Sequence, residues 1–291
     1  MPLELPPPPG TMFLPPTALS GRVAVVTGGG TGLGLSIAKA LSEAGATIAI
    51  VSRSEEHRQR GVDAITATGG LAVQVGADLR EADQVDAAFA EISELVGPPS
   101  ILINNAAANF PVLAKDLSPN GWRAVQRTVL DGTFFCSQAL YRSATSASIP
   151  GAICNIVATQ AKTGGPGMAH AAAAKAGVEN LTKSLAVEWA GDGIRVNAVA
   201  PGLFPHDDMR EDLKALRTSG ADVDARRAPA HRAGDIRELA WAVTYLCSPY
   251  AAFVTGHTMV VDGGNWLRRD FVMPEFTPIA DQLSSVLRRP N

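Results

Sequence analysis

The 291-residue chain has only three cysteines, Cys136, Cys154 and Cys247, scattered without C-x-x-C spacing. That pattern suggests neither a disulfide framework nor a cysteine zinc site, and it fits a reducing compartment. A basic surplus is lacking too: the formal net charge of −3 offers no electrostatic footprint for nucleic acid or an anionic membrane. No apolar run reaches the roughly 18 residues of a membrane span, and the N-terminus has neither the basic nor the apolar region of a signal peptide. These absences predict a cytoplasmic protein whose partner is a small molecule, with no nucleic acid and no membrane. What is present is an ordinary globular composition, 46% hydrophobic and 18% charged, at a length that one doubly wound domain absorbs.

Residues 1–18 are rich in proline, with four in a row at Pro6 to Pro9 and a pair at Pro15 and Pro16. Such composition favours an extended arm over a packed element. The arm either clasps a neighbouring subunit or is a disordered leader. From Arg22 onward short β-branched runs alternate with helical patterns. Strands are predicted at 23–26, 47–51, 72–75, 101–103, 152–157, 195–199 and 259–261, with helices at 35–44, 55–67, 83–96, 120–141 and 170–190. Successive βαβ units of this kind predict an α/β, Rossmann-type, doubly wound parallel seven-stranded sheet with helices on both faces, a single domain over 19–264. The rhythm breaks between 201 and 235, where Pro205, Gly220, Pro229 and Gly234 stand among charged residues. A substrate lid is expected there, at about 203–232. The tail at 265–291, with Trp266, Phe271, Pro274, Phe276 and Pro278, either wraps a neighbour or frays.

The strongest motif is Thr27-Gly28-Gly29-Gly30-Thr31-Gly32-Leu33-Gly34, placed between the first strand and the first helix. Glycines let the backbone turn tightly and approach a pyrophosphate, while the helix N-terminus supplies unpaired N–H groups and a favourable dipole. A dinucleotide site is therefore expected. After the second strand, where an NAD-selective site places an acidic residue, the chain reads Ser52-Arg53-Ser54. An arginine there suits a 2′-phosphate, which predicts NADPH over NADH.

Together these residues resemble the short-chain dehydrogenase/reductase family over 20–264. The glycine motif T-G-x-x-x-G-x-G is matched at Thr27, Gly28, Gly32 and Gly34. Further marks are Asp78-Leu79, Asn104-Asn105-Ala106-Ala107, Lys175, Arg195-Val196-Asn197, Pro201-Gly202 and Asp262-Gly263-Gly264. The resemblance implies that Asp78 contacts the adenine, Asn105 lines the cofactor and Lys175 holds the nicotinamide ribose. Thr31, Leu33, Leu79, Ala106, Pro201 and Gly202 complete the expected cofactor set. Within the family, residues 103–110, 117–120, 129–133 and 172–177 look like 2,4-dienoyl-CoA reductases. Those enzymes pass a hydride from NADPH to the far end of a conjugated thioester, and the resulting dienolate needs electrostatic stabilisation and a proton.

The catalytic pattern departs from the usual one. A typical family member has tyrosine four residues before its lysine, so that phenol and ammonium share a helix face; here that residue is Ala171. His170 is adjacent but projects from a different face than Lys175, which suits a structural or substrate-side role. One branch of the dienoyl-CoA reductases places a tyrosine on the loop after the fifth strand, where this chain has Gln160, and an asparagine where it has Asp131. The resemblance to a second branch implies that Asp131 and Lys175 act through water, with Gln160 as an amide donor to an enolate oxygen. Bracing of its helix is an alternative role for Asp131, and loop filling for Gln160.

The residues thus predict an NADPH-dependent reductase of a conjugated C=C bond in an enoyl or dienoyl thioester or similar unsaturated carbonyl. The carrier of that thioester is CoA or a carrier protein. Asn109, Phe110, His170, Leu203 and Phe204 are the expected substrate contacts, and Arg226, Arg227 and Arg232 the candidates for CoA phosphates. Two other readings stand beside it: a carbonyl reductase or alcohol dehydrogenase, and an inactive NADP(H)-binding regulator or partner subunit. Small residues on the two long helices, Ala172, Ala173, Ala176 and Ala186, are expected to face another subunit. The family resemblance implies a homotetramer built on those helices.

Overall fold

The computed structural model describes residues 3–206, 208, 228–268 and 277–284. Seven strands form one sheet: β1 (Val23–Thr27), β2 (Thr47–Ser52), β3 (Ala72–Gly76), β4 (Pro99–Asn104), β5 (Gly151–Ile156), β6 (Ile194–Pro201) and β7 (Thr258–Val261). Their order is β3-β2-β1-β4-β5-β6-β7, and every pairing is parallel. Parallel strands need crossover helices, and these cover both faces. Alternate residues of the same strands feed two cores. Val26, Ile48, Ile50, Ile101 and Ile103 pack toward α1 (Gly32–Glu43), α2 (Glu55–Thr66) and α8 (Ile236–Cys247). Val25, Val51, Leu102, Ile153 and Val196 pack toward α3 (Ala82–Val96), α5 (Gly132–Ser146) and α7 (Ala169–Trp189). That two-sided burial explains why the strands read as continuous apolar runs rather than alternating ones.

The sequence reading needs four adjustments. The helix expected at 120–141 is built from α4 (Pro119–Gln126), a π-helical turn at Arg127–Asp131 and α5, which runs to Ser146. Helix α8 was not foreseen, although Asp235 and Glu238 form a complete capping box at its start. The proline-rich arm is not a free leader: its described residues are anchored to their own chain at several points. Leu3 N donates to Ala230 O at 3.0 Å, Arg237 donates to Pro7 O at 2.9 Å, and Phe13 stacks on Trp241 of α8 at 5.9 Å. Finally, Ala172 and Ala186 are buried within the chain at 9% and 2% exposure, Ala186 in the α3/α5/α7 core and Ala172 against Gly165. Ala173 is exposed and Ala176 half-buried. Phe271, Pro274, Phe276, Arg226 and Arg227 lie outside the described residues.

Two short helices complete the description, α6 (Gln160–Thr163) after β5 and α9 (Ile279–Gln282) near the end. A buried polar chain ties the middle of the sheet to its helices. Asn104 donates to Asn155 Oδ1 at 2.8 Å and Ser137 Oγ at 3.2 Å, and Asn155 donates to Thr182 Oγ1 at 2.9 Å. In a low-dielectric interior such a satisfied network fixes one arrangement, because breaking any link strands a buried polar group. It holds α5 and α7 against the ends of β4 and β5, where the site begins. No described helix is long and apolar enough to cross a membrane.

Candidate active site

Strand order reverses beside β1, which sits between β2 and β4, so the loops leaving β1 and β4 part toward opposite faces and open a crevice. Thr27 closes its floor. The buried hydroxyl donates to Ile103 O at 3.1 Å and accepts from Asn105 N at 2.9 Å and Ala106 N at 3.0 Å. Asn105 Nδ2 returns bonds to Thr27 O at 3.0 Å and Gly28 O at 3.3 Å. Asn105 therefore braces the glycine turn as well as bordering the crevice.

The turn depends on close approach. A Cβ on Gly34 would lie 2.3 Å from Gly28 O and 2.5 Å from Asn105 Nδ2, and Gly28 itself holds φ +65°. Helix α1 then begins with Thr31 as N-cap, whose side chain makes no capping bond, leaving N–H groups directed into the crevice. Gly32 N donates instead to Asp208 Oδ2 at 2.8 Å. A carboxylate already rests where a helix N-terminus attracts anions, so the cradle and its stand-in anion fit a dinucleotide pyrophosphate.

The crevice encloses about 700 Å³. Gly28, Thr31, Gly32, Leu33, Gly34, Ser52, Arg53, Asp78, Leu79, Asn105 and Ala106, eleven of the expected cofactor residues, line this one cavity. Arg53 is exposed at its edge, near enough to Asp78 to help hold that carboxyl low. Asp78 is depressed to about 2, chiefly by hydrogen bonds from Arg80, which grips it at 2.9 and 3.0 Å through Nε. Asp78 N also donates to Gln84 Oε1 at 2.9 Å. Sequence reasoning missed Ser54, His57, Thr128, His206 and Asp208, which line the same cavity. Ser54 and His57 were readable, since Ser54 caps α2 by accepting from His57 N. Asp208 carried no local signal, because its position depends on how the chain returns from β6.

The remaining expected residues are not part of the lining of this cavity. Lys175 on α7 donates to Ile156 O at the end of β5, and burial lowers its pKa to about 8. Pro201 ends β6, and Gly202 N bonds Val261 O at 2.9 Å. Asp131 ends the π-helical turn, an element that packs on α7 where Leu130 approaches Gly177. Lys175 makes no ion pair with Asp131 among the described residues. Gln160 is exposed at the start of α6.

Position 171 belongs to an apolar patch: Ala171, Phe110, Leu130 and Val260 pack around Val157, Ala174 and Val178. The three tyrosines are elsewhere. Tyr141 bonds Asp192 at 2.9 Å, Tyr245 packs into the α1/α8 core, and Tyr250 is exposed. His170 is wholly buried with both ring nitrogens unpartnered, and burial lowers its pKa. Its ring is 4.6 Å from that of Phe110, while Asn109 beside it is exposed. Leu203 and Phe204 line a different cavity of about 770 Å³, bounded by β7 and the turn at Asn265–Leu267. Phe204 is only 5% exposed and belongs to the main core, so the structure does not bring it together with Phe110 and His170. Arg232 is bound by Glu238 at 2.7 Å.

Comparison with known proteins agrees with this arrangement. Residues 28–265 match the family model described as enoyl-(acyl carrier protein) reductase. A probable 2,4-dienoyl-CoA reductase of Bacillus subtilis is 37% identical over 84% of this chain and 97% of its own. A 3-oxoacyl-(acyl-carrier-protein) reductase of Vibrio cholerae is also 37% identical, over 86% and 99%. Among solved structures, a gluconate 5-dehydrogenase from Burkholderia cenocepacia in complex with NADP and tartrate superposes with a TM-score of 0.81. It is 36% identical, over 87% of this chain and 98% of that one. The cradle, the strand order and these matches together place the chain in the short-chain dehydrogenase/reductase family.

Proposed function

We propose that the protein is an NADPH-dependent reductase of a conjugated C=C bond in an enoyl or dienoyl thioester. Overall identity does not choose between C=C and C=O reduction, since relatives named for each are 37% identical. The observation that carries the choice is Ala171. Where a carbonyl reductase of this family needs a phenol beside its lysine, this chain has a methyl group inside an apolar patch, and none of its tyrosines lines the crevice. Direct protonation of a carbonyl oxygen during its reduction loses its usual donor there. Reduction of a conjugated C=C bond asks less of that position: negative charge must be held on the thioester oxygen, and the proton goes to carbon.

NADPH supplies the hydride when bound. The helix α1 N-terminus and Arg53 hold its phosphates, the latter selecting the 2′-phosphate. Lys175, anchored on Ile156 O, presents an ammonium to the ribose and to the developing negative charge. Asp131 orders the water that carries the proton, and Gln160, exposed at the start of α6, offers an amide N–H to the substrate oxygen. Phe110, backed by the buried ring of His170, forms the apolar wall against the acyl chain; residues 207 and 209–227 of the lid expected at about 203–232 lie outside the described residues. The protein works as a cytoplasmic homotetramer with exposed faces of α5 and α7 buried between subunits.

The test is oxidation of NADPH with a 2,4-dienoyl-CoA, an enoyl-CoA and a 3-oxoacyl-CoA in parallel. Turnover of the unsaturated thioesters supports the reading, whereas turnover of the 3-oxo substrate alone makes the protein a carbonyl reductase. Binding of NADPH with no consumption makes it a regulator.

A further inference from the structure

The anion stand-in at the glycine turn points to a cofactor ligand and a competitor that the family motifs do not contain. Asp208 reaches the cavity from beyond β6. One carboxylate oxygen accepts from Gly32 N at 2.8 Å, and the pair of oxygens receives a two-pronged grip from Arg60 of α2 at 2.6 and 3.2 Å. Those bonds hold the carboxyl below its ordinary range against the opposing effect of its own burial. His206 lies over the same turn: a Cβ on Gly32 would meet its ring at 2.8 Å. Arg60 is brought there by tight packing of α2 on the turn, since a Cβ on Gly30 would fall 1.9 Å from His57 O and one on Gly61 3.0 Å from Gly30 Cα.

Both donors that hold Asp208 are donors for which a phosphate is the better acceptor. A helix N-terminal N–H and a guanidinium fork match two oxygens of a phosphate as they match those of a carboxylate, with more negative charge on the phosphate. We propose that Arg60 is a phosphate-binding residue of the NADPH site, and that Asp208 occupies the place of a phosphate oxygen until the cofactor displaces it. The inference rests on the NADPH reading of the crevice and extends it. Arg60 thereby exchanges one anion for another and never loses its partner, so cofactor entry does not leave a bare cation. Asp208, once displaced, is kept from the phosphate by like charge. An internal competitor lowers apparent affinity in proportion to the time it holds the site.

The experiment is a fluorescence titration of the full-length protein with NADPH, using wild type, Asp208→Ala, Arg60→Ala and the double variant. Circular dichroism verifies that all four are folded. Removing Asp208 is expected to tighten NADPH binding about threefold to tenfold, by freeing the competent state. In the Asp208→Ala background, Arg60→Ala is expected to weaken binding about tenfold, as loss of a charge-assisted contact does. In wild type the same change is expected to weaken it less, because it also releases the competitor. Unchanged or weaker binding in Asp208→Ala overturns the competitor role. A neutral Arg60→Ala in the double variant overturns the phosphate contact. Failure of all four proteins to bind NADPH refutes the cofactor reading itself, an outcome distinct from wild-type binding that Asp208→Ala fails to tighten.

Discussion

The proposed mechanism turns on Lys175. Its ammonium is anchored to Ile156 O, yet burial brings its pKa to about 8. If the ammonium stabilises developing charge, turnover falls as pH rises through about 8, and a pH-rate profile in which Lys175→Arg keeps the plateau to higher pH checks this. Stability moves the other way. The unfolded lysine titrates near 10.4, so between about pH 8 and that value the unfolded chain binds the extra proton, and this group's contribution to stability rises with pH. Asp131→Ala is expected to lower kcat with NADPH affinity largely spared, and an unchanged kcat removes Asp131 from the mechanism. At the turn, Gly34→Ala forces a methyl group against Gly28 O and Asn105. It is expected to abolish measurable NADPH binding and to lower stability by about 1–3 kcal/mol, read by fluorescence titration and urea unfolding.

Legibility in the sequence differed among elements for identifiable reasons. Strands buried on both faces announced themselves as β-branched runs, and the seven expected ones coincide with β1 to β7 within two residues. Helix α8 was equally marked, by Asp235, Glu238 and the apolar run after them, but it follows a segment whose charge and breakers suggest continued loop. The π-helical turn at Arg127–Asp131 is invisible to periodicity, because one widened turn shifts the apolar stripe too little to break it. The crevice lining was legible wherever backbone conformation demanded a particular residue, as at Gly28 and Gly34. Asp208 and Arg60 were not, since their pairing spans 148 residues and has no local signature. Asp235→Ala tests the element account. Loss of the capping box at α8 is expected to cost about 1 kcal/mol, seen as a lower thermal midpoint.

For the whole molecule, the proline-rich arm ties the start of the chain to α8 through Pro7, Phe13 and Trp241. Arg237 joins both sides, bonding Pro7 O and lying 5.6 Å over the Trp241 ring. Truncation before Phe13 is therefore expected to reduce the thermal midpoint modestly while leaving NADPH affinity intact, since none of the described arm residues lines the crevice. Exposed Phe134 on α5 and Val187 on α7 are the contacts expected between subunits, and sedimentation at the mass of four chains supports the assembly, whereas a monomer refutes it. The central claim is that a family member with alanine at 171 reduces a C=C bond and not a carbonyl. The most direct measurement is steady-state NADPH oxidation with 2,4-dienoyl-CoA and with 3-oxoacyl-CoA of equal chain length. The account predicts a kcat/KM for the dienoyl substrate at least about a hundredfold higher, the usual contribution of a positioned proton donor. Equal or greater efficiency on the 3-oxo substrate would contradict it.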